Sequence, residues 1–478
     1  MSKRLVLVFC ALFVMAACVP AFAAVQNIKV SGDILTRMID RQDFDLIKGT
    51  GVANEDQIDV FNSVVRVRID ADLTDNVSTV VRLINERNWD EANLSSTDID
   101  LDLAYVTMKE FLYSPLTIAI GRQELHFGND MLIGDGVGTD LNWVANGSTN
   151  VVNSGGIGTN QYTNYVEALG YANFLATQAV NGDLAYRKAF DAIRATLDYD
   201  PLVVDVVFAQ ISEGFNLTGV ETADDVYLYG INAGYKLDDK WNSSVEGYWW
   251  NKDVQTNGTL AADGSDKIDR TTTLGARIST NPTDKLNLQQ EVAWQGGHKV
   301  DGQNGIVRDR NAWASQTMVT VVPGWKHDPV FGMVYSYFSG DSDPANQSTT
   351  SEKDYFAWDP MFENQTAGRI MNALFPQWNA HSVDIMTILK PDFIEDVTVR
   401  VDWVYLALSK AQSPAVNALT NDYNAALGYS ANKKTLGQEI DLTLSYDYTE
   451  DVQFGLCVDW FMPGRAISTM SNQTEVAN

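Results

Sequence analysis

Charged residues recur at every second position over several otherwise apolar stretches of this chain. Arg66, Arg68, Asp70 and Asp72 alternate with Val67, Ile69 and Ala71. The same spacing sets Arg82 in step with Glu86, Asp100 with Asp102, Arg194 with Asp198, Arg400 with Asp402, and Glu439 with Asp441. Glu246, Arg277 and Glu291 fall singly on the same parity of their own stretches. A period of two puts these groups on one face of extended strands. Rows of this kind have two uses: a lattice of ion pairs that stiffens a wall, or fixed charges that select passing solutes. Both uses stay open, and one wall can serve both.

Enzymatic chemistry has less to work with. The chain holds four histidines, His126, His298, His327 and His381, all read at loops or strand ends. No Gly-x-Ser-x-Gly, no His-Glu-x-x-His and no metal-type Cys/His spacing occurs. Asp341-Ser342-Asp343 with Asn346 offers oxygen ligands for calcium. It lacks the Gly and Glu positions of a calcium loop, which favours a solvated acidic loop. No cofactor is expected otherwise.

The elements that must carry the charged rows are strands. Ile440, Leu442, Leu444, Tyr446 and Tyr448 share one parity, and after Thr449-Glu450-Asp451 the pattern resumes with Val452, Phe454, Leu456, Val458 and Trp460. Two alternating arms around so short a turn form an antiparallel hairpin. Each arm is roughly a dozen residues, against the ~5–6 of a usual soluble strand and the ~9–11 that cross a bilayer when tilted. The same pattern predicts seventeen strands, near 28–40, 60–73, 77–89, 98–109, 116–127, 188–199, 202–211, 225–237, 241–251, 268–280, 285–296, 311–322, 329–339, 381–390, 396–408, 436–448 and 452–463. Short polar turns such as Thr74-Asp75-Asn76 and Asp238-Asp239-Lys240 alternate with longer connections rich in Gly, Asn, Ser and Thr, among them 128–187 and 340–380. Short periplasmic turns with long outer loops distinguish an outer-membrane barrel from a soluble sandwich. Trp403 and Tyr405 at one end, with Tyr199 and Tyr235 at the other, supply two interfacial belts. An Arg facing lipid near the midplane costs ~2–4 kcal/mol, so the charged parity must face water or itself. The fold class is therefore all-β, a transmembrane antiparallel up-and-down barrel.

Residues 1–23 read as a cleaved signal peptide, with Lys3 and Arg4, an apolar core from Leu5 to Val19, and Ala21-Phe22-Ala23 as the cleavage site. An uncleaved anchor helix and lipid attachment at Cys18 are the alternatives. Residues 24–478 form one domain, since no linker divides them. Beyond the signal no stretch approaches the ~18 consecutive apolar residues of a membrane-spanning helix. The formal net charge of -28 becomes -30 without Lys3 and Arg4, which excludes nucleic-acid binding by counterion release. Removing the signal takes Cys10 and Cys18 and leaves Cys457 alone, so no intrachain disulfide forms.

Four stretches in order are similar to the alginate-export family of outer-membrane channels. They are Ile120-Gly121-Arg122-Gln123-Glu124-Leu125-His126-Phe127-Gly128 with Ile133-Gly134; Ala189-Phe190-Asp191-Ala192-Ile193-Arg194; Tyr337-Phe338-Ser339-Gly340-Asp341 leading to Asp359-Pro360-Met361-Phe362; and Gly437-Gln438-Glu439-Ile440-Asp441-Leu442 ending at Pro463-Gly464. The resemblance implies an eighteen-stranded monomeric barrel in the bacterial outer membrane that passes solute passively through a charged lumen. In the best-known members that lumen is rich in Arg and passes an acidic polysaccharide. Arg122 and Arg194 match motif arginines and are added to the pore-lining candidates, although Arg122 shares its parity with Ile118 and Ile120. Acids at least equal arginines on the inward parity here, which favours mixed or mildly cation-preferring selectivity over a polyanion. The functional expectation is a passive channel for hydrophilic solutes or polysaccharide, with lipid as its surroundings. The alternatives are a structural or adhesive barrel plugged by loops 128–187 and 340–380, and a barrel-embedded hydrolase.

Seventeen strands from a periplasmic start leave the last one outside the cell, whereas single-chain bacterial barrels have an even number. One expectation is a further strand missing after residue 478. The other is that a weakly patterned segment, 202–211 or 311–322, is miscounted.

Overall fold

The computed structural model describes residues 27–42, 57–89, 99–134, 189–212, 226–237, 240–260, 266–300, 307–342, 354–365, 367–375, 379–392, 394–411 and 432–467. Its framework is a single sheet that curls into a wall. The strands are β1 (Asn27–Gln42), β2 (Gln57–Thr74), β3 (Val77–Asn88), β4 (Asp100–Met108), β5 (Leu116–Gln123), β6 (Phe190–Asp198), β7 (Leu202–Ser212), β8 (Val226–Lys236), β9 (Ser244–Leu260), β10 (Asp266–Thr283) and β11 (Leu286–Val300). Val307–Arg310 and Ala312–Val321 both pair with β11 and are one strand, β12, broken at Asn311. Then come β13 (Val330–Phe338), β14 (Ala380–Leu389), β15 (Val397–Leu408), β16 (Thr435–Thr449) and β17 (Val452–Pro463). Each strand pairs antiparallel with the next in sequence.

All seventeen expected strands are present among the described residues, 202–211 and 311–322 included, so the miscount expectation falls. Between β1 and β17 the described residues form no ladder. Both run outward from the same side, so a direct pairing would be parallel. Residues 468–478 lie outside the described residues.

Alternation sorts the side chains as the sequence pattern requires. Ile231, Phe208, Ile193, Leu274, Val292 and Ile440 project outward and are between 42% and 49% exposed, as a lipid-facing surface demands. Tyr199, Tyr235, Trp313 and Trp325 ring the ends of that face. On the opposite parity Leu228, Val207, Phe190, Ala293 and Val404 are buried, although they point into the barrel. Side chains on the lumen side can be buried only if other residues pack on them from inside. Among the described residues much of that packing comes from two outer connections that fold inward, L3 between β5 and β6 and L7 between β13 and β14. Between them L7 carries one short helix, α1 (Arg369–Leu374).

Three strand boundaries differ from expectation for identifiable physical reasons. β9 and β10 run on to Leu260 and from Asp266, through residues expected as loop. Above the lipid the outer face no longer has to be apolar, so the alternation fades while the hydrogen-bonded ladder continues. β5 stops at Gln123, short of the expected 127, because Gly121 takes φ 124° and the chain turns into the lumen. A Cβ at Gly121 would lie 2.2 Å from the Ala104 carbonyl oxygen, so no other residue fits this bend.

At the periplasmic face Lys326 Nζ lies 2.6 Å from Asp392 Oδ2 and His327 Nδ1 lies 3.1 Å from Oδ1, pinning two turns together. The hydrogen bond from Lys326 holds the Asp392 carboxyl below the usual carboxylate range.

The outward parity yields a prediction. Ile193→Arg places a charge against lipid and lowers the unfolding free energy by ~2–4 kcal/mol. Ser445→Arg, on the lumen parity of β16, lowers it by less than ~1 kcal/mol. Urea titrations of protein folded into vesicles check both, and equal losses would contradict the assigned faces.

Candidate functional site

The lumen charges are built as pairs along and across strands. On β2, Arg66 grips Asp33 of β1 through Nε and Nη2 at 3.0 Å each. Arg68 closes a fork on Asp70 of its own strand at 2.8–3.1 Å. Arg82 of β3 donates to Asp102, which is fully buried at a bulge of β4, and to Glu124 at 2.6 Å. Glu124 opens L3, so Arg82 ties the wall to the base of that loop. Arg194 of β6 meets Asp205 of β7 at 2.7 Å and covers the Phe127 ring at 5.3 Å. Glu246 accepts from Arg277 at 3.2 Å, and Arg277 also donates to Gln289. Glu291 accepts from Tyr248 at 2.7 Å. Glu86 and Asp100 stand on the lumen parity, opposite Val64 and Ile84.

One expected pore-lining residue, Arg122, stands on the other face, and Asp198 keeps the lumen parity but stands at its periplasmic end. Arg122 shares the outward face with Ile118 and Ile120, where it reaches Asp191 at 3.4 Å and the Asp102 carbonyl at 3.1 Å. Its parity, and not its charge, decides where it points. Asp198 is exposed at the periplasmic end of β6 and accepts the Asp200 N–H at 3.2 Å, so it shapes a turn.

L3 and L7 meet inside the barrel. Gly134 N–H donates to the Phe362 carbonyl at 2.8 Å and Phe362 N–H to the Leu132 carbonyl at 2.9 Å, a parallel bridge between the loops. Asn364 N–H donates to the Asp130 carbonyl, and Gln365 Nε2 to that of Asn129. Around the bridge Leu125, Met131, Ile133, Met371 and Phe375 are at most 2% exposed and pack on Phe190, Trp250, Phe338 and Phe461 of the wall. The apolar effect drives this packing, because water and not lipid fills an open bore.

Charge anchors L7 at two separate walls. At the first, Asp359 accepts from Lys252 Nζ of β9 at 2.7 Å and from Thr271 Oγ1 of β10 at 2.8 Å. Gln295 of β11 both donates to the Asp359 carbonyl and accepts its N–H, at 2.7 and 2.8 Å. Asp269 beside them accepts from Arg310 and Lys299 at 2.9 Å each. At the second wall, Ile370 and Met371 N–H each donate to a Glu439 carboxylate oxygen at 2.7 Å, and Arg369 N–H to Asp441 Oδ2 at 3.3 Å. The Arg369 guanidinium donates to Asp459 and to Thr443, both at 2.5 Å. Gly368 makes that approach possible: its φ is 77°, and a Cβ would sit 2.6 Å from Glu439 Oε2.

The second wall is acidic. Asp402, Asp441 and Asp459 lie directly opposite one another across β15, β16 and β17, with Asp384 of β14 diagonal to Asp402. Arg400 closes a fork on Asp402 at 2.8–3.1 Å. Oδ1 of Asp384 and Oδ1 of Asp441 are buried without a donor.

The pattern of alternation contains Asp205, Asp269, Asp384 and Asp459, all on lumen parities of expected strands, yet sequence reading left them aside. Lys252, Asp359 and Arg369 lie where alternation has ended, so nothing local marks them. Among the described residues no group of three His, Cys, Asp or Glu side chains is placed to hold a metal ion. Asp343 and Asn346 of the calcium expectation lie outside the described residues.

The first anchor is testable. Lys252→Met leaves the Asp359 carboxylate buried without its lysine, a change that costs ~3–5 kcal/mol. The outcome expected is an earlier urea midpoint and tryptic cleavage after Arg369 that the native protein resists. An unchanged cleavage pattern would mean that L7 does not depend on this pair.

A family model described as alginate export matches residues 182–476. No curated protein matches significantly. Among solved structures, OccAB4 of Acinetobacter baumannii is 11% identical, with 93% of this chain and 96% of that chain covered and a TM-score of 0.48. The outer membrane protein OprD of Pseudomonas aeruginosa is 10% identical over 93% of this chain and 92% of that one, with a TM-score of 0.49. OpdK of the same organism is 10% identical, covering 92% and 94%, with a TM-score of 0.49. The family match, over more than half of the chain, carries the assignment: this protein belongs to the alginate export family, and it is an outer-membrane β-barrel of the passive channel type.

Proposed function

We propose that the barrel is a monomeric, loop-constricted channel for small hydrophilic solutes, with mixed or mildly cation-preferring selectivity. The observation that carries this reading is the unequal neutralisation of the lumen. On β2, β3 and β6 the arginines are matched by Asp33, Asp70, Asp102 and Asp205. On β14 to β17 the five carboxylates of Asp384, Asp402, Glu439, Asp441 and Asp459 face, among the described residues, the two guanidinium groups of Arg369 and Arg400. A constriction biased in this way favours cations by sign. It also disfavours alginate, the polyanion in the family's description, because like charge in a narrow, low-dielectric bore repels strongly. No catalytic step enters this proposal.

The adhesive alternative draws support from the inward loops, which block the bore if they fill it. Single-channel recording separates the two. Steady ohmic steps from folded protein are expected, with a reversal potential in a KCl gradient that shows weak cation preference. Strong anion preference would overturn the selectivity and restore a polyanion substrate; silence from a heat-modifiable, folded band would favour the plugged barrel.

Cys457 gives an independent check. It is exposed on the lumen parity of β17, one inward position from Asp459. A positively charged methanethiosulfonate is expected to react with it several-fold faster than a negatively charged one, through the local field. Equal rates would show that the acids are neutralised.

A further inference from the structure

The acidic wall has more acceptors than the described residues supply with donors. Asp441 is 3% exposed, and its Oδ1 has no hydrogen-bond partner. Like charges directly opposite each other across a sheet are destabilising, so the Asp402–Asp441–Asp459 row needs a cation among its members. Among the described residues two guanidinium groups reach the row, Arg400 on Asp402 and Arg369 on Asp459, and of these Arg369 belongs to a loop and not to the wall. It meets Asp459 at 2.5 Å while remaining 39% exposed to the lumen. The loop has other anchors besides that contact: Glu439 holds α1 through two backbone N–H groups and Asp359 holds the far end.

We propose that this wall is a binding site for the cationic end of a solute, a guanidinium or primary ammonium, and that Arg369 occupies it in the resting protein. An entering solute then exchanges with the Arg369 guanidinium, so that one cation replaces another on Asp459, beside the unsatisfied Oδ1 of Asp441. The site never stands as an unneutralised row, and Arg369 acts as a tethered competitor that sets how tightly a cationic solute binds. This deepens the channel reading above and rests on it.

Planar-bilayer recordings of the full chain with L-arginine as probe and L-glutamate as control test the exchange. L-Arginine is expected to interrupt the potassium current of the native channel, and L-glutamate to leave it unchanged. Arg369→Gln empties the site and lowers the half-blocking arginine concentration about tenfold. Arg369→Lys, which keeps a tethered cation, returns it to the native value. Asp441→Asn with Asp459→Asn raises it at least tenfold. Equal block in all four proteins, or an Arg369→Lys variant that behaves like Arg369→Gln, would overturn the inference. If folded native protein conducts no current, the channel reading fails by itself. Calorimetric titration of arginine into detergent-solubilised native and Arg369→Gln protein then decides the site, tighter binding to the variant supporting it and equal binding overturning it.

Discussion

In a hydrocarbon layer a peptide group finds no water, so every backbone N–H and C=O must find a partner in the protein. Among the described residues no helix is long and apolar enough to cross such a layer, and the hydrogen-bonded sheet meets the requirement instead; the rest of this structure follows from it. Long antiparallel strands make the period of two compulsory. The period hands every second side chain to lipid and every other one to the lumen. Charges are thereby collected on one surface, where distance and low dielectric force them to pair. Arg66 with Asp33 and Arg194 with Asp205 are pairs of this sort, made across neighbouring strands.

The same constraint explains what could be read from sequence. Ile440 to Tyr448 and Val452 to Trp460 announce their faces because lipid tolerates nothing else there. Glu439 and Asp441 are placed by the same count. Arg122 shows the rule in reverse: its motif suggests a pore residue, while its step with Ile118 and Ile120 puts it outside, against Asp191. Above the lipid the rule lapses, which is why Lys252 and Asp253 looked like loop although the ladder runs through them. Inside L7 no periodic constraint acts at all. Asp359 and Arg369 owe their positions to partners 107 and 90 residues away in the chain, and nothing in their immediate neighbourhood encodes that.

The two kinds of lumen chemistry serve different ends. Pairs fixed within the sheet, such as Arg68 with Asp70, tie one piece of wall to another and leave little field behind. Pairs between sheet and loop, such as Lys252 with Asp359, set the bore. Their burial makes them costly to break singly, since a lone charge left behind has neither water nor counter-ion. The apolar cluster around Phe362 and Ile133 adds strength without direction, and the ion pairs supply the direction.

The anchoring of L7 at two walls also dictates an order of assembly. One anchor needs β9 to β11 in place, and the other needs β16 and β17, which emerge from the chain well after L7 itself. Contacts this distant in sequence close late, because the entropy of the intervening segment has to be overcome first. The strap therefore cannot seat until the far wall has formed. The sheet comes first, and the docked strap is a late product of folding.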